Sequence, residues 1–408
     1  MMDKRLGLGA DFLRVGRPRR EAGARREIDR AIRHSSLFLE RLSSCSPTLT
    51  RRQRKEAIRE FLSSRVAVLG GLGRSYSESG LYQPDEFSAV QLVAHAYELD
   101  VTAPSSQLAA VFPKLKADGR ERPIVSFHRD DKTRQRLIKR VLEAVCPTQP
   151  FQFQTGGRGG AYAARVALRD GMSDPRVTHI VRADIKNFYG AIDQDFAVEA
   201  TPLPRKVAKA VLLAKSYSYC LGNPEEENVL SGDPYDSTIA SGLGFGIPQG
   251  SACSSILAAL LISDLRDLVE EAVDSHVRLI TYEDDIAMLC HSRDEAERLE
   301  RALTDVLTTH PAGPFRLGPG GGIKEVGERT YFLGAHFTRN QSGCVDVDPA
   351  ATKYDKLTAY IDVIAREDFS DVGGVDKLRS RLNGLRAAYR DCSDYVSEAD
   401  ALIAMVPS

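Results

Sequence analysis

Three aspartates have the residue type and surroundings from which chemistry could be built: Asp184, and the adjacent pair Asp284 and Asp285. The pair lies in Tyr282-Glu283-Asp284-Asp285, between two short apolar runs, Val277-Arg278-Leu279-Ile280 and Ile286-Ala287-Met288-Leu289-Cys290. Runs of this length and β-branched content predict two paired strands joined by a tight turn. Carboxylates held side by side repel one another, which costs free energy unless a cation neutralises them. Such a turn points to a divalent cation, although a lone Asp-Asp pair also suits a solvated corner. Asp184 ends a second β-branched run, His179-Ile180-Val181-Arg182-Ala183, and precedes Ile185-Lys186-Asn187-Phe188-Tyr189. Aspartate is disfavoured in strands, and local departures of this kind mark functional sites. The alternative is a residue that caps the next helix.

The elements that must position these residues follow from periodicity. Residues 22–42 have helical spacing, and Thr50-Arg51-Arg52-Gln53 reads as a capping box that opens a helix to about Val66. Gly70-Gly71-Leu72-Gly73 is expected to break the chain, and 85–99 to be helical again. Gly119–Phe127 reads as a turn and then a strand, which Pro123 confines to an edge or to its own start. Helices are expected from Thr133 to about Ala144 and from Ala161 to about Arg169. The glycine-rich loop 156–160 lacks the Lys-Ser/Thr of a phosphate-binding P-loop. Residues 217–245 are dense in Gly, Asn, Pro, Asp and Ser and read as a loop. Gly246-Ile247-Pro248-Gln249-Gly250-Ser251 is a sharp loop whose backbone can approach a ligand closely. A long helix is expected from Ala252 to about Ala272, and an amphipathic one over 293–309. Tyr331–Phe337 reads as a strand pair or a strand kinked at Gly334, and the tail from about 349 as two or three helices.

Net charge is −1, so the total says nothing about nucleic acid, but its distribution does. Residues 1–62 hold 16 Lys/Arg against 8 Asp/Glu, and residues 114–140 hold 10 against 4. Basic segments around an acidic centre suit a polyanion lying over a metal site. The seven cysteines include no C-x-x-C pair, which argues against zinc ribbons and a disulfide framework. A reduced, intracellular setting is the simple expectation. No run approaches the ~18 residues of a membrane span.

The order of motifs resembles the reverse transcriptase family. Asp184-Ile185-Lys186-Asn187-Phe188-Tyr189 resembles its first catalytic motif, Gly246–Gly250 its nucleotide-pocket motif, and Tyr282–Asp285 its Tyr-x-Asp-Asp turn. Lys324 followed by Phe332-Leu333-Gly334 resembles the lysine motif and primer grip, and Arg122-Pro123-Ile124 the fingers strand. An RNA-dependent RNA polymerase would have Gly-Asp-Asp at the hairpin and a second Asp soon after the first, where this chain has Tyr282–Asp285 and Tyr189.

The resemblance implies an α+β right-hand polymerase with fingers and an antiparallel-sheet palm. It implies a basic helical extension over 1–110, fingers over 111–178, a palm over 179–340 with an insertion at 217–245, and a small helical thumb over 341–408. It implies two Mg²⁺ ions, with Mn²⁺ as a substitute, held by Asp184, Asp284, Asp285 and the Ile185 carbonyl. Arg122, Tyr189, Gln249, Gly250 and Lys324 would contact the incoming dNTP, with Tyr189 as a steric gate against ribonucleotides and Lys324 assisting the leaving group. Phe332, Leu333 and Gly334 would hold the primer. Glu283 would face the primer strand. The implied partners are an RNA template, a DNA product and dNTPs, without a membrane.

About 70 residues follow the primer-grip motif, which leaves room for a small thumb and none for an RNase H domain. The overall layout resembles stand-alone bacterial, cytoplasmic enzymes of antiphage defence and abortive infection. Their templates include dedicated non-coding RNAs, and some members polymerise without a template or from a protein primer. A non-catalytic nucleic-acid scaffold that keeps the palm is the alternative from another class. The 217–245 segment suits a lid, a partner surface or a homo-oligomer contact.

Overall fold

The computed structural model describes residues 12–79, 87–115, 121–147, 149–221, 245–366, 374–390 and 392–407. The protein is mixed α+β. Its strands are β1 (Leu108–Leu115), β2 (Glu121–Ser126), β3 (His179–Asp184), β4 (Ser218–Leu221), β5 (Arg278–Tyr282), β6 (Asp285–Cys290), β7 (Gly322–Glu325), β8 (Thr330–Phe332), β9 (Ala335–Arg339) and β10 (Val345–Pro349). The helices begin with α1 (Glu21–Cys45), α2 (Arg51–Leu62), α3 (Arg65–Ser79), α4 (Ala89–Glu98), α5 (Arg129–Val145), α6 (Gly160–Met172) and α7 (Phe188–Ala191). They continue with α8 (Gln194–Ala200), α9 (Arg205–Val211), α10 (Ser254–Leu261), α11 (Leu265–Val273), α12 (Arg293–Thr309), α13 (Ala351–Arg366), α14 (Val375–Ala388) and α15 (Ser393–Met405). Among the described residues no helix is long and apolar enough to cross a membrane.

Two compact units divide the chain. The first takes Met1–Thr148, Asn187–Ser263 and Thr309–Phe315; the second takes Gln149–Lys186, Asp264–Thr308 and Arg316–Ser408.

In the first unit, α1 buries Ile28, Ala31, Phe38 and Leu42, and the Phe38 ring stacks on Phe61 of α2 at 4.3 Å. The Thr50 and Gln53 capping box forms in both directions, so α2 starts where its sequence says. Gly70-Gly71-Leu72-Gly73 does not break the chain; it lies inside α3. An interior glycine costs about 1 kcal/mol of helix propensity, but here the missing side chains set the packing distance. A Cβ on Gly70 would lie 2.9 Å from the Ala31 carbonyl oxygen, and one on Gly73 2.5 Å from Ile28 Cγ2. The glycines therefore let α3 press against α1.

The first unit's sheet has the order β2-β1-β4, with β1–β2 antiparallel and β1–β4 parallel. Pro123 is on an edge strand, opposite Pro113, as its missing N–H requires. Part of the expected 217–245 loop is thus strand β4, and residues 222–244 lie outside the described residues.

The single helix expected over 252–272 is two, α10 and α11, with the break at Ile262 (φ −116°, ψ 26°). The halves belong to different units. Ile256 and Leu257 bury with the first, and Leu265 and Val269 with the second. A continuous hydrophobic period cannot reveal that its two ends serve separate cores.

The first unit also holds a titratable pair. His95 Nε2 is 2.9 Å from Asp130 Oδ1, with His128 Nδ1 3.7 Å from the other oxygen. The hydrogen bond to Asp130 raises the His95 pKa above its ordinary 6.5, although burial opposes it. The folded state thus favours protonated His95. That stabilisation is complete below about 6.5 and fades as pH rises through the raised value. The urea midpoint should fall across that window in the wild type and fall less in Asp130→Asn. Equal slopes in both proteins would remove the pair from the pH dependence.

In the second unit, the four-stranded sheet has the order β5-β6-β3-β7 and is antiparallel throughout. A second sheet runs β10-β9-β8. One core joins both sheets to α6 and the C-terminal helices, through Leu168, Ile180, Leu289, Phe337, Leu382 and Tyr395. Each such side chain contributes about 1.5–3 kcal/mol when fully buried. Arg165 of α6 is enclosed in this core. Its guanidinium lies 4.5 Å from the centre of the Tyr389 ring and donates to the Leu333 and Ala388 carbonyls.

Candidate active site

Strand register brings two of the three aspartates face to face. In the β3–β6 ladder Asp184 is the direct partner of Asp285, and on the other side Asp285 pairs with Tyr282 of β5. Directly opposed residues project to the same face of a sheet. Asp284 lies in the turn, with Glu283 before it at φ 56°, a backbone region that disfavours a side chain. The Asp284 carbonyl accepts from Ile185 N at 3.0 Å, so the chain leaving β3 is fastened to the hairpin tip.

A second segment clamps Asp184 from the opposite side. Gly318 N donates to the Asp184 carbonyl at 2.6 Å and Lys186 N to the Arg316 carbonyl at 2.8 Å. Ile185 and Leu317 form an isolated antiparallel bridge. Glycine at 318 leaves the Asp184 carboxylate in place, because a Cβ there would lie 2.7 Å from Asp184 Oδ2 and would push it aside. The glycine-rich run 318–322 thus has a steric reason at the first of its positions.

Arg182 joins the two segments. Its Nη2 lies 3.3 Å from Asp285 Oδ1, its Nη1 donates to the Gly320 carbonyl, and its guanidinium lies 5.4 Å from the centre of the Tyr331 ring. Burial raises the Asp285 pKa, Arg182 pulls it back, and the Asp184 charge adds to the rise. Arg182 was not among the expected site residues. The signal was available, since it stands two positions before Asp184 on an alternating strand and so shares its face.

All the donors here are oxygens, which suits a hard divalent cation such as Mg²⁺. Two opposed, partly desolvated carboxylates fit such a charge. Among the described residues no three His, Cys, Asp or Glu side chains gather closely enough to hold a metal ion.

Lys324 is not brought to the carboxylates. It stands on β7 opposite Ile180, four positions before Asp184, roughly 13 Å along the strand. Its ammonium pairs with Glu328 at 3.2 Å, and its side chain is half exposed. Phe332 is a core residue. Leu333 (φ 48°) and Gly334 (φ 81°) form the β8–β9 turn. A Cβ on Gly334 would lie 2.5 Å from the Tyr389 hydroxyl, and the Gly334 carbonyl accepts from Ala350 N. The structure thus seats this turn against the start of α13 and the end of α14.

The remaining expected residues lie in the first unit, where they form a connected group. Gln249 and Gly250 pack on β2: Val125 N donates to the Gln249 carbonyl at 3.2 Å, and a Cβ on Gly250 (φ +109°) would lie 2.4 Å from the Val125 carbonyl oxygen. Arg122 stands three residues earlier on the same strand, in register with Lys114. The Tyr189 carbonyl accepts from Ile247 N at 3.0 Å. Gly246, at φ +61°, leaves no space for a Cβ, which would lie 2.0 Å from that same carbonyl oxygen. Backbone contacts thus fix the Gly246–Gly250 loop to β2 and to the chain at Tyr189.

Residues 114–311 match a family model described as reverse transcriptase (RNA-dependent DNA polymerase). The match supports the reverse transcriptase family, an RNA-directed DNA polymerase and nucleotidyltransferase family, for that stretch. It takes in Arg122, Asp184, Tyr189, Gln249, Gly250 and the Asp284–Asp285 turn; Lys324 and 332–334 lie beyond its end. No curated protein matches the chain.

Proposed function

We propose that this protein is an RNA-templated DNA polymerase that joins dNTPs to a primer 3′-hydroxyl. The observation that carries this reading is the register that sets Asp184 opposite Asp285, next to Asp284, inside a stretch that matches the reverse transcriptase family. A pair of bound Mg²⁺ ions would activate the primer hydroxyl and neutralise charge on the triphosphate. Asp184 and Asp285, with Asp284 and the Ile185 carbonyl, are the residues that would hold them.

The other residues of the chain position the reactants. The loop at Gln249 and Gly250, held on β2, offers backbone to the incoming nucleotide, and Arg122 on the same strand supplies positive charge for its phosphates. Arg182 restrains the Asp285 carboxylate and ties down the glycine run beside Asp184. Tyr189 excludes a ribose 2′-hydroxyl. Leu333 and Gly334 present a fixed turn to the primer backbone. Lys324 takes a role at the leaving group only if β7 and its side chain rearrange. The proposed setting is antiphage defence with a non-coding RNA template.

The test uses a defined RNA template with an annealed DNA primer, Mg²⁺ or Mn²⁺, and the four dNTPs. Extension complementary to the template is expected. Product whose sequence ignores the template would replace this reading with template-independent or protein-primed synthesis. The steric gate has its own expected outcome. Tyr189→Ala should raise ribonucleotide incorporation relative to dNTPs by roughly tenfold or more, since loss of a clash of a few kcal/mol is at least one power of ten. Unchanged discrimination would remove the gate.

One observation favours a second reading, a nucleic-acid scaffold without catalysis. Arg182 is already paired with Asp285, so that carboxylate has a cation beside it before any metal binds. Such a scaffold would bind primed RNA and extend nothing with either metal.

A further inference from the structure

The first unit carries a basic cleft that the chemistry proposed above leaves unused. It has a volume of about 590 Å³ and lies between α2 and the segment from the end of α8 to the start of α9. From α2 come Arg51, Arg52, Lys55, Glu56 and Arg59; the facing wall is Glu199 and Pro204. All of these residues belong to one unit. Arg51, Lys55 and Arg59 recur every four positions, so their side chains form a row along the helix, roughly 6 Å from one to the next. Arg54 leaves this face and donates to the Ser46 carbonyl at 2.6 Å. The Thr50 cap sets where the row begins, and Arg51 fastens it to the opposite wall by donating to the Glu199 carbonyl.

Both carboxylates at the cleft already have cations of their own. Glu56 lies 3.5 Å from Arg59, and Glu199 lies 3.1 Å from Arg205, the first residue of α9. Arg51, Arg52 and Lys55 are left with no ion pair among the described residues. The Glu199 carbonyl that Arg51 reaches is neutral and compensates no charge. Burial lowers the Lys55 pKa below its ordinary 10.5, and the charges of Arg51 and Arg205 lower it further, against the pull of Glu199. Positive charge therefore dominates inside the cleft. It also runs against the helix dipole, since α2 has no acidic residue in its first turn, where a carboxylate is favoured and a cation is not. Such an arrangement raises the free energy of the protein alone and lowers it when a polyanion lies across the row.

We propose that this cleft binds the phosphate backbone of RNA, with Arg52 and Lys55 on the phosphates and Arg51 and Arg59 flanking them. The proposal rests on the polymerase reading only in taking RNA as the polyanion. The site itself is separate from the three aspartates, which belong to the second unit. Lys and Arg in a row hold a strand by its phosphates without reading its bases. A protein partner would need a buried aromatic or aliphatic anchor, and a membrane an apolar face. The only apolar side chain among the described lining residues is Pro204. The cleft therefore grips RNA of any sequence, whether or not a primer end is engaged.

Binding of an unstructured, fluorescein-labelled single-stranded RNA is measured by anisotropy on the full chain, without dNTPs or Mg²⁺, from about 50 to 200 mM salt. The wild type is compared with Arg52→Gln/Lys55→Gln and with Arg26→Gln/Arg33→Gln, which removes the same charge from exposed positions on α1. The cleft variant should bind about tenfold more weakly whatever the RNA sequence. Its slope of log affinity against log salt should fall by about 1.4, which is roughly 0.7 for each lost phosphate contact of a single strand. The α1 variant should match the wild type. The cleft variant should melt no lower than the wild type, because it removes like charges, so misfolding would not account for the loss. Equal affinity and slope in the wild type and the cleft variant would overturn the proposal. So would an equal loss in both variants, which would make the effect one of overall charge. Poly-glutamate or phosphatidylserine vesicles released by the cleft variant while RNA stays bound would assign the cleft to an acidic protein or a membrane instead. Primer extension is read separately: a wild type that holds RNA through the cleft and extends no primer would end the polymerase reading and leave this site standing.

Discussion

Asp184→Asn should abolish DNA synthesis, lowering the rate by about a thousandfold or more while leaving primed RNA bound. The substitution keeps the shape of the side chain and removes its charge. Asp184 is clamped by Gly318 N on one side, and the following residue, Ile185, is tied to the Asp284 carbonyl on the other. The backbone therefore has no reason to move when the charge is lost. What disappears is half of an opposed carboxylate pair that would hold a cation worth several kcal/mol of transition-state stabilisation. Gly318→Ala gives a graded comparison, since its Cβ would press on Asp184 Oδ2 at 2.7 Å without altering any charge. It should lower activity less than Asp184→Asn does. Primer extension under single-turnover conditions, with RNA binding measured alongside, reads both. An Asp184→Asn protein that extends primers at the wild-type rate would end the catalytic reading.

Among the described glycines of the first unit, Gly246→Ala should be the most damaging substitution. Its Cβ would lie 2.0 Å from the Tyr189 carbonyl oxygen and 2.8 Å from Gly190 Cα, and these are backbone atoms that cannot rotate away. The positive φ of 61° adds about 1–2 kcal/mol for any side chain. Relief requires moving the loop, which costs the Ile247–Tyr189 hydrogen bond and adds overpacking of about 1–3 kcal/mol. A total near 3 kcal/mol or more is expected, read as a fall in the urea midpoint. Nucleotide binding should weaken as well, because the same loop carries Gln249 and Gly250. A variant as stable as the wild type would mean that the loop adapts at little cost.

Much of the site was legible because its signals are local. The β5–β6 hairpin needs only two β-branched runs and a turn, and the structure has it at those residues. The Thr50–Gln53 cap, the edge position of Pro123 and the amphipathic α12 are likewise written within a few residues. What escaped depends on partners far along the chain. Glycines at 70, 71 and 73 predict a break until α1 is known to lie against them. The gap between α10 and α11 reflects membership of two units, which periodicity does not record. The strand alternation puts Arg182 on the face of Asp184, but its partners Gly320 and Asp285 lie more than a hundred positions away. Lys324 was placed by its order in the chain, whereas the β7 register sets it opposite Ile180.

The division of the chain into two discontinuous units bears on how the protein is made. The first unit lacks its last piece until Phe315 has been synthesised, and the second draws on residues from Gln149 to the C-terminal region. Neither unit can close as a contiguous length of nascent chain. During translation, roughly 5–20 residues per second, β1 therefore waits for β4, and α5 for α10, whereas α1 already has α3, α4 and α5 beside it. A chain cut anywhere between 149 and 315 leaves both cores incomplete, so fragments of this protein should aggregate more readily than the whole chain.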